Sequence, residues 1–189
     1  EYSRRLSQAP PSDMLIEDAS VSADGLDVPV RIYRPTATRG ETAAPVIIYL
    51  HGGGFMKGDL DSSDSIAWGY AENCAAVTVS VDYRLTPEHP YPAAFDDTCA
   101  VLRYVSANAR NLEIDASRLI MAGDSAGGNL AAAACLAARD QGGPAIAAQV
   151  LVYPGTGLDQ VGGSYEEHAD GIGLTTAGTR RYRCLLYTS

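Results

Sequence analysis

One serine of the chain stands where a hydroxyl could become a nucleophile. Gly123, Asp124, Ser125, Ala126 and Gly127 form a G-x-S-x-G run between the apolar stretch Leu119 to Ala122 and the Ala-rich stretch Ala126 to Arg139. A strand that turns sharply into a helix at such a serine exposes its Oγ at the sheet edge. The turn is strained, and only small residues at Gly123 and Gly127 leave room for it. The helix N-terminus beside Ser125 favours negative charge developing there. Acyl transfer is the chemistry this predicts, with Ser125 as the attacking group.

A second motif could serve the same reaction. His51, Gly52, Gly53 and Gly54 follow directly on the apolar run Val46 to Leu50. Attack on a carbonyl passes through a tetrahedral oxyanion, which needs two or three backbone N–H groups aimed at one point, and successive glycines let the backbone approach that closely. Gly53, Gly54 and Ala126 are the expected donors. His51 is expected to fix its loop by hydrogen bonds rather than act as a base, since a base is chosen by reach before basicity. A tight glycine turn without a ligand is the alternative for these residues.

The surrounding pattern places both motifs. Leu26, Val28, Val30 and Ile32 alternate with Asp27, Pro29, Arg31 and Tyr33 as in a half-buried strand, with Met14 to Ser22 as its partner across an Asp24-Gly25 turn. After the loop Pro35 to Pro45 come short apolar runs, Val46 to Leu50, Ala76 to Val81, Leu119 to Ala122 and Ala147 to Val152. Helix-length segments lie between them, Ser62 to Asn73, Ala93 to Ala109 and Ala126 to Arg139. Strands apolar on both faces and alternating with helices predict an α/β fold with a parallel sheet covered on each side, entered by an antiparallel hairpin. Ligands bind beyond the carboxyl ends of such strands, so both motifs face one crevice.

Composition narrows the function. The chain has 189 residues, 46% of them hydrophobic, enough for one core. Its 14 basic against 23 acidic residues give a formal charge of −9, which opposes nucleic acid as a partner. Cys74, Cys99, Cys135 and Cys184 form neither a metal pattern nor a disulfide framework, and the first three are expected to be buried thiols. No apolar run has the length of a membrane span, and residues 1–10 lack a signal-peptide core, so a cytoplasmic location is expected.

Three blocks carry a family resemblance: HGGGFMKGDLD from His51, DYRLTPEHPYPAAFDD from Asp82 and GDSAGGNLAAA from Gly123. In order and spacing they resemble the bacterial hormone-sensitive-lipase-like carboxylesterases, which include arylacetamide deacetylases, over about Met14 to Asp159. The resemblance implies an α/β-hydrolase fold and a serine hydrolase of carboxylic esters, usually of short acids, with no cofactor and no metal. Gly52, Gly123, Asp124 and Gly127 would support the site structurally. The middle block would anchor a loop, with Arg84, Glu88 and His89 as a polar network. Trp68 and the tyrosines are expected to pack in core and surface.

The same resemblance sets what is expected to be missing. In this family's order the acid and the histidine follow the serine. Two further βαβ crossovers would take roughly 60 residues or more at ~30 each, beyond what remains after Pro154. His168, with Asp159 or Asp170 as orienter, lies too early and is expected to be a surface histidine. Residues 1–13 are therefore expected to be a remnant of a cap region, 14–182 an incomplete hydrolase domain truncated at its C-terminal end, and 183–189, Arg183 to Ser189, a non-native tail. Such a piece is expected to be inactive alone, while its parent hydrolyses a small-molecule ester. The rival is a non-catalytic binding module, as in a plant hormone receptor of the same fold; an amidase would differ only in the leaving group.

Overall fold

The computed structural model describes residues 8–40, 43–157 and 162–187. The hairpin comes first: β1 (Leu15–Ala23) pairs antiparallel with β2 (Leu26–Arg34) from Leu15 opposite Arg34 to Ala23 opposite Leu26. Asp24 and Gly25 both have positive φ, 54° and 77°, the geometry of a two-residue turn whose twist matches the strands. Then follow β3 (Ala44–Leu50), α1 (Asp64–Cys74), β4 (Val77–Val81), α2 (Ala93–Ala107), β5 (Ile114–Asp124), α3 (Ala126–Gln141) and β6 (Ala148–Val152). A one-turn α4 (Ser164–Glu167) and a longer α5 (Thr176–Tyr187) end the described chain.

The six strands lie in the order β1-β2-β4-β3-β5-β6, antiparallel for the hairpin and where β2 meets β4, parallel elsewhere. This is the mixed α/β sheet expected from the pattern. Period two divides the core: Val46, Ile48 and Leu50 of β3 face α2 and α3, whereas Ile47 and Tyr49 face Ala67 and Ala71 of α1. Helices therefore cover both faces, which is why β3 is apolar and every residue of β4 is buried, the small polar Thr78 and Ser80 included. Arg31 of β2 ties the hairpin to α1, binding Asp18 at 2.5 Å, Asp61 at 3.0 Å and Asp64 at 3.2 Å. The same guanidinium holds the Asp18 carboxyl below its ordinary pKa.

The segment after β4 is held from below. Asp97 of α2 is 1% exposed and accepts from the Arg84 backbone N–H at 2.9 Å and from Arg84 Nη2 at 2.7 Å. Two residues on, Thr86 donates to the Phe55 carbonyl from its N–H (2.8 Å) and its Oγ1 (3.1 Å), so the block props up the glycine loop. Two expectations are corrected here. Glu88 and His89 are exposed on the outer side of this turn and take no part in the network, which is Arg84 with Asp97. Cys74 is exposed, because it ends α1 on the solvent side, and Cys135 is half-buried; among the described residues no disulfide forms. Residues 183–187 form the last turns of α5, where Leu186 is buried and its carbonyl accepts from Tyr91 N–H at 2.7 Å.

Asp97→Ala strands the Arg84 donors, and since the Arg84 side chain is 37% exposed, water repays part of the loss. We expect a loss of about 2 kcal/mol, read as a lower urea midpoint at unchanged m. An unchanged midpoint would show that the turn is held by other contacts.

Candidate active site

Strand β5 ends at Asp124 and helix α3 begins at Ala126, so the whole reversal falls on Ser125, at φ 53° and ψ −113°. A non-glycine residue so placed stores about 1–3 kcal/mol and persists only if its surroundings overdetermine it. Here they do. Ser125 N–H donates to the Val152 carbonyl of β6 at 2.9 Å, and its own carbonyl accepts from Asn129 N–H at 3.0 Å and Gly155 N–H at 3.3 Å. A Cβ on Gly127 would overlap the carbonyl oxygens of Leu50 and His51, so only glycine lets α3 lie against the end of β3. Gly123 packs as closely on Gly127, and Asp124, bonded by the Tyr49 hydroxyl at 2.7 Å, fills the space beside Gly52.

The glycine loop turns back on itself just after β3. Gly53 adopts φ 138°, open only to glycine, and a side chain there would overlap the Lys57 carbonyl. Its carbonyl accepts from Met56 and Lys57 N–H groups at 3.2 Å each. The amides of Gly53, Gly54 and Ala126 are not spent on any hydrogen bond among the described residues. Unspent amides at one place are what an oxyanion site requires.

His51 is 2% exposed and stacks on Tyr83 with ring centroids 4.3 Å apart. Its Nδ1 lies 2.8 Å from the Gly52 carbonyl, which assigns the proton to Nδ1, and the Tyr83 hydroxyl donates to the His51 carbonyl at 2.7 Å. Nε2 has no partner among the described residues. Burial lowers the pKa of the imidazole below its ordinary value, against smaller opposing effects of the Gly52 carbonyl and Asp82. Burial likewise raises the half-buried Asp82 carboxyl. Neither ring nitrogen of His51 bonds Ser125.

Above both loops opens a cavity of about 460 Å³, walled by Gly54, Ser125, Ala126, Tyr153, His168 and Tyr182 among others. The Tyr182 ring lies against Gly54, where an added Cβ would stand 2.9 Å from it. His168, just past α4, is exposed and lines this cavity without bonding Ser125. Asp170 is exposed and lines the neighbouring surface cleft instead; Asp159 lies outside the described residues. Tyr182 escaped the sequence reading because no local spacing ties α5 to the elbow, whereas His168 is exposed as expected. Among the described residues no group of three or more His, Cys, Asp or Glu is placed to hold a metal ion, and no helix is long and apolar enough to cross a membrane.

Folding lowers the proton affinity of His51, so its contribution to stability is complete above about pH 6.5 and is lost as the pH falls from there toward its lower folded value. By NMR, the His51 ring signals should titrate with a midpoint below the ordinary histidine value of about 6.5. A midpoint at or above the ordinary value would mean that burial does not govern this residue.

The carboxylesterase NlhH of Mycobacterium tuberculosis (strain ATCC 25618 / H37Rv) is 49% identical over 159 residues, 84% of this chain and 49% of that protein. An ethyl acetate hydrolase of Pseudomonas putida is 40% identical over 145 residues, 75% of this chain and 45% of that protein. A solved structure, a thermostable esterase from Pseudomonas putida ECU1011, superposes with a TM-score of 0.91 at 30% identity, covering 100% of this chain and 58% of that one. The chain thus spans about half the length of the relatives it matches. The family described as alpha/beta hydrolase fold matches residues 47–188, and the chain belongs to the alpha/beta hydrolase fold family.

Proposed function

We propose that the protein is a serine hydrolase that cleaves carboxylic esters of short acids through an acyl-enzyme. The observation that carries the reading is the strained Ser125 sharing one cavity with Gly54 and Ala126, whose amides are unspent. Ser125 Oγ adds to the ester carbonyl carbon, and the oxygen that gains charge is held by the amides of Gly53, Gly54 and Ala126. Collapse breaks the bond to the alcohol oxygen, which leaves with a proton, and water then releases the acid by the same route in reverse order. Gly52, Gly123, Asp124 and Gly127 shape the two loops, and His51, neutral and stacked on Tyr83, holds the glycine loop from behind.

A neutral hydroxyl is a weak nucleophile without a base. No histidine among the described residues bonds Ser125, so the reading takes the triad's acid and base from sequence outside these 189 residues. The relatives' names support an ester substrate, and that of the ethyl acetate hydrolase supports a short acid. A cavity of about 460 Å³ suits a small molecule.

The test uses the full gene product. A fluorophosphonate probe should label Ser125 alone, and Ser125→Ala should abolish both labelling and hydrolysis of 4-nitrophenyl butanoate, a loss of at least about 10³-fold. Labelling that survives this substitution places the nucleophile elsewhere, and a full gene product that binds small esters without reacting favours a binding module. The 189-residue chain alone should retain only the help of the oxyanion donors, far below the full product. Activity within about tenfold of it, lost on His168→Ala, would assign the base to His168.

A further inference from the structure

A second cavity of about 360 Å³ lies beside the first, and Phe55 is the one residue that walls both. The two are placed end to end along the same pair of helices. On α3, Ala126 lines the first cavity and Leu130 and Ala133 the second; on α5, Thr179 and Tyr182 line the first and Leu186 the second. Residues three, four and seven apart share one helix face, so a single groove between α3 and α5 runs from Ser125 onward and is interrupted at Phe55.

The second cavity is mainly apolar. Pro92, Phe95, Leu130, Ala133 and Leu186 line it together with the paired rings of Tyr91 and Tyr187, and Asn129 at its wall spends its Nδ2 on the Gly155 carbonyl at 2.7 Å. No charged side chain faces it among the described residues. Phe55 itself is not free to drift. Its φ is 63°, its carbonyl is held twice by the buried Thr86, and its ring packs on the main core. The partition is therefore fixed by the backbone.

We infer that Phe55 sets the length of acyl chain the site accepts, and that the second cavity is an acyl subsite for medium-length chains closed off by this one ring. The inference rests on the ester-hydrolase reading of Ser125. In the protein as it stands an acyl chain that runs from Ser125 along the groove between α3 and α5 meets Phe55; with the ring removed, the methylenes of a longer chain would continue into the space beyond.

The experiment compares 4-nitrophenyl esters of butanoic and octanoic acid on the full gene product, its Phe55→Ala variant and the double variant Phe55→Ala with Ala133→Phe. Phe55→Ala should raise the octanoate-to-butanoate ratio of kcat/KM by about tenfold or more, since each buried methylene contributes a severalfold preference. Filling the second cavity in the double variant should return the ratio to the wild-type value. A ratio unmoved by Phe55→Ala, or raised equally in the double variant, overturns the inference while leaving the ester-hydrolase reading intact. Should Phe55→Ala fail to fold, Phe55→Leu is read by the same ratio. Should the wild type cleave no ester, that reading fails separately, and the partition is read from octanoate binding followed by NMR. Tightening of about tenfold in Phe55→Ala, absent in the double variant, upholds it; equal binding overturns it.

Discussion

The start of helix α3 lies so close to the end of strand β3 that a single methyl group on Gly127 would overlap the carbonyls of Leu50 and His51. This contact brings two loops far apart in the chain to one cavity. With α3 pressed there, Ser125 must reverse the chain within one residue, and it lines one cavity with Gly54 of the loop that leaves β3. The parallel pairing of β3 with β5, from Val46 opposite Leu119 to Leu50 opposite Gly123, brings both strand ends to the same edge. Strain at Ser125 is sustained because the neighbouring strand and loop bond its amide and its carbonyl.

Support for the glycine loop comes from layers behind it. His51 is packed on Tyr83, Tyr83 precedes Arg84, and Arg84 is gripped by the buried Asp97 of α2. Thr86 completes the chain of contacts by holding the Phe55 carbonyl. The side chains nearest the cavity are thus positioned by backbone hydrogen bonds and stacking. Such support lets a loop stay fixed without charge inside it, and burial keeps His51 neutral.

Much of this was legible in the residues because its causes are local. β3 and β4 are buried on both faces and so read as runs of apolar residues broken only by the small Thr78 and Ser80, and the elbow needs small residues at fixed offsets from Ser125. Strand β5 showed only its inner half, Leu119 to Ala122, though it runs from Ile114. Its first residues are polar and satisfy one another near the surface, with Ser117 and Arg118 both bonded to Asp115, so no apolar run betrays them. Glu88 and His89 looked like members of a buried network because they share a turn with Arg84, yet which side chain of a turn points inward depends on the helix beneath it. Non-local contacts left no trace at all. Arg31 gathering three carboxylates, Tyr182 lying on Gly54 and Phe55 dividing two cavities each join segments whose spacing carries no periodic signal.

The central claim is that Ser125 and the amides of Gly53, Gly54 and Ala126 converge on one reacting carbonyl. A crystal structure of the full gene product after reaction with an alkyl phosphonate measures this directly. The account predicts phosphorus bonded to Ser125 Oγ and a phosphonyl oxygen about 2.7–3.1 Å from those three amide nitrogens. A phosphonyl oxygen turned to solvent and bonded to none of them, or phosphorus attached to another residue, would contradict it.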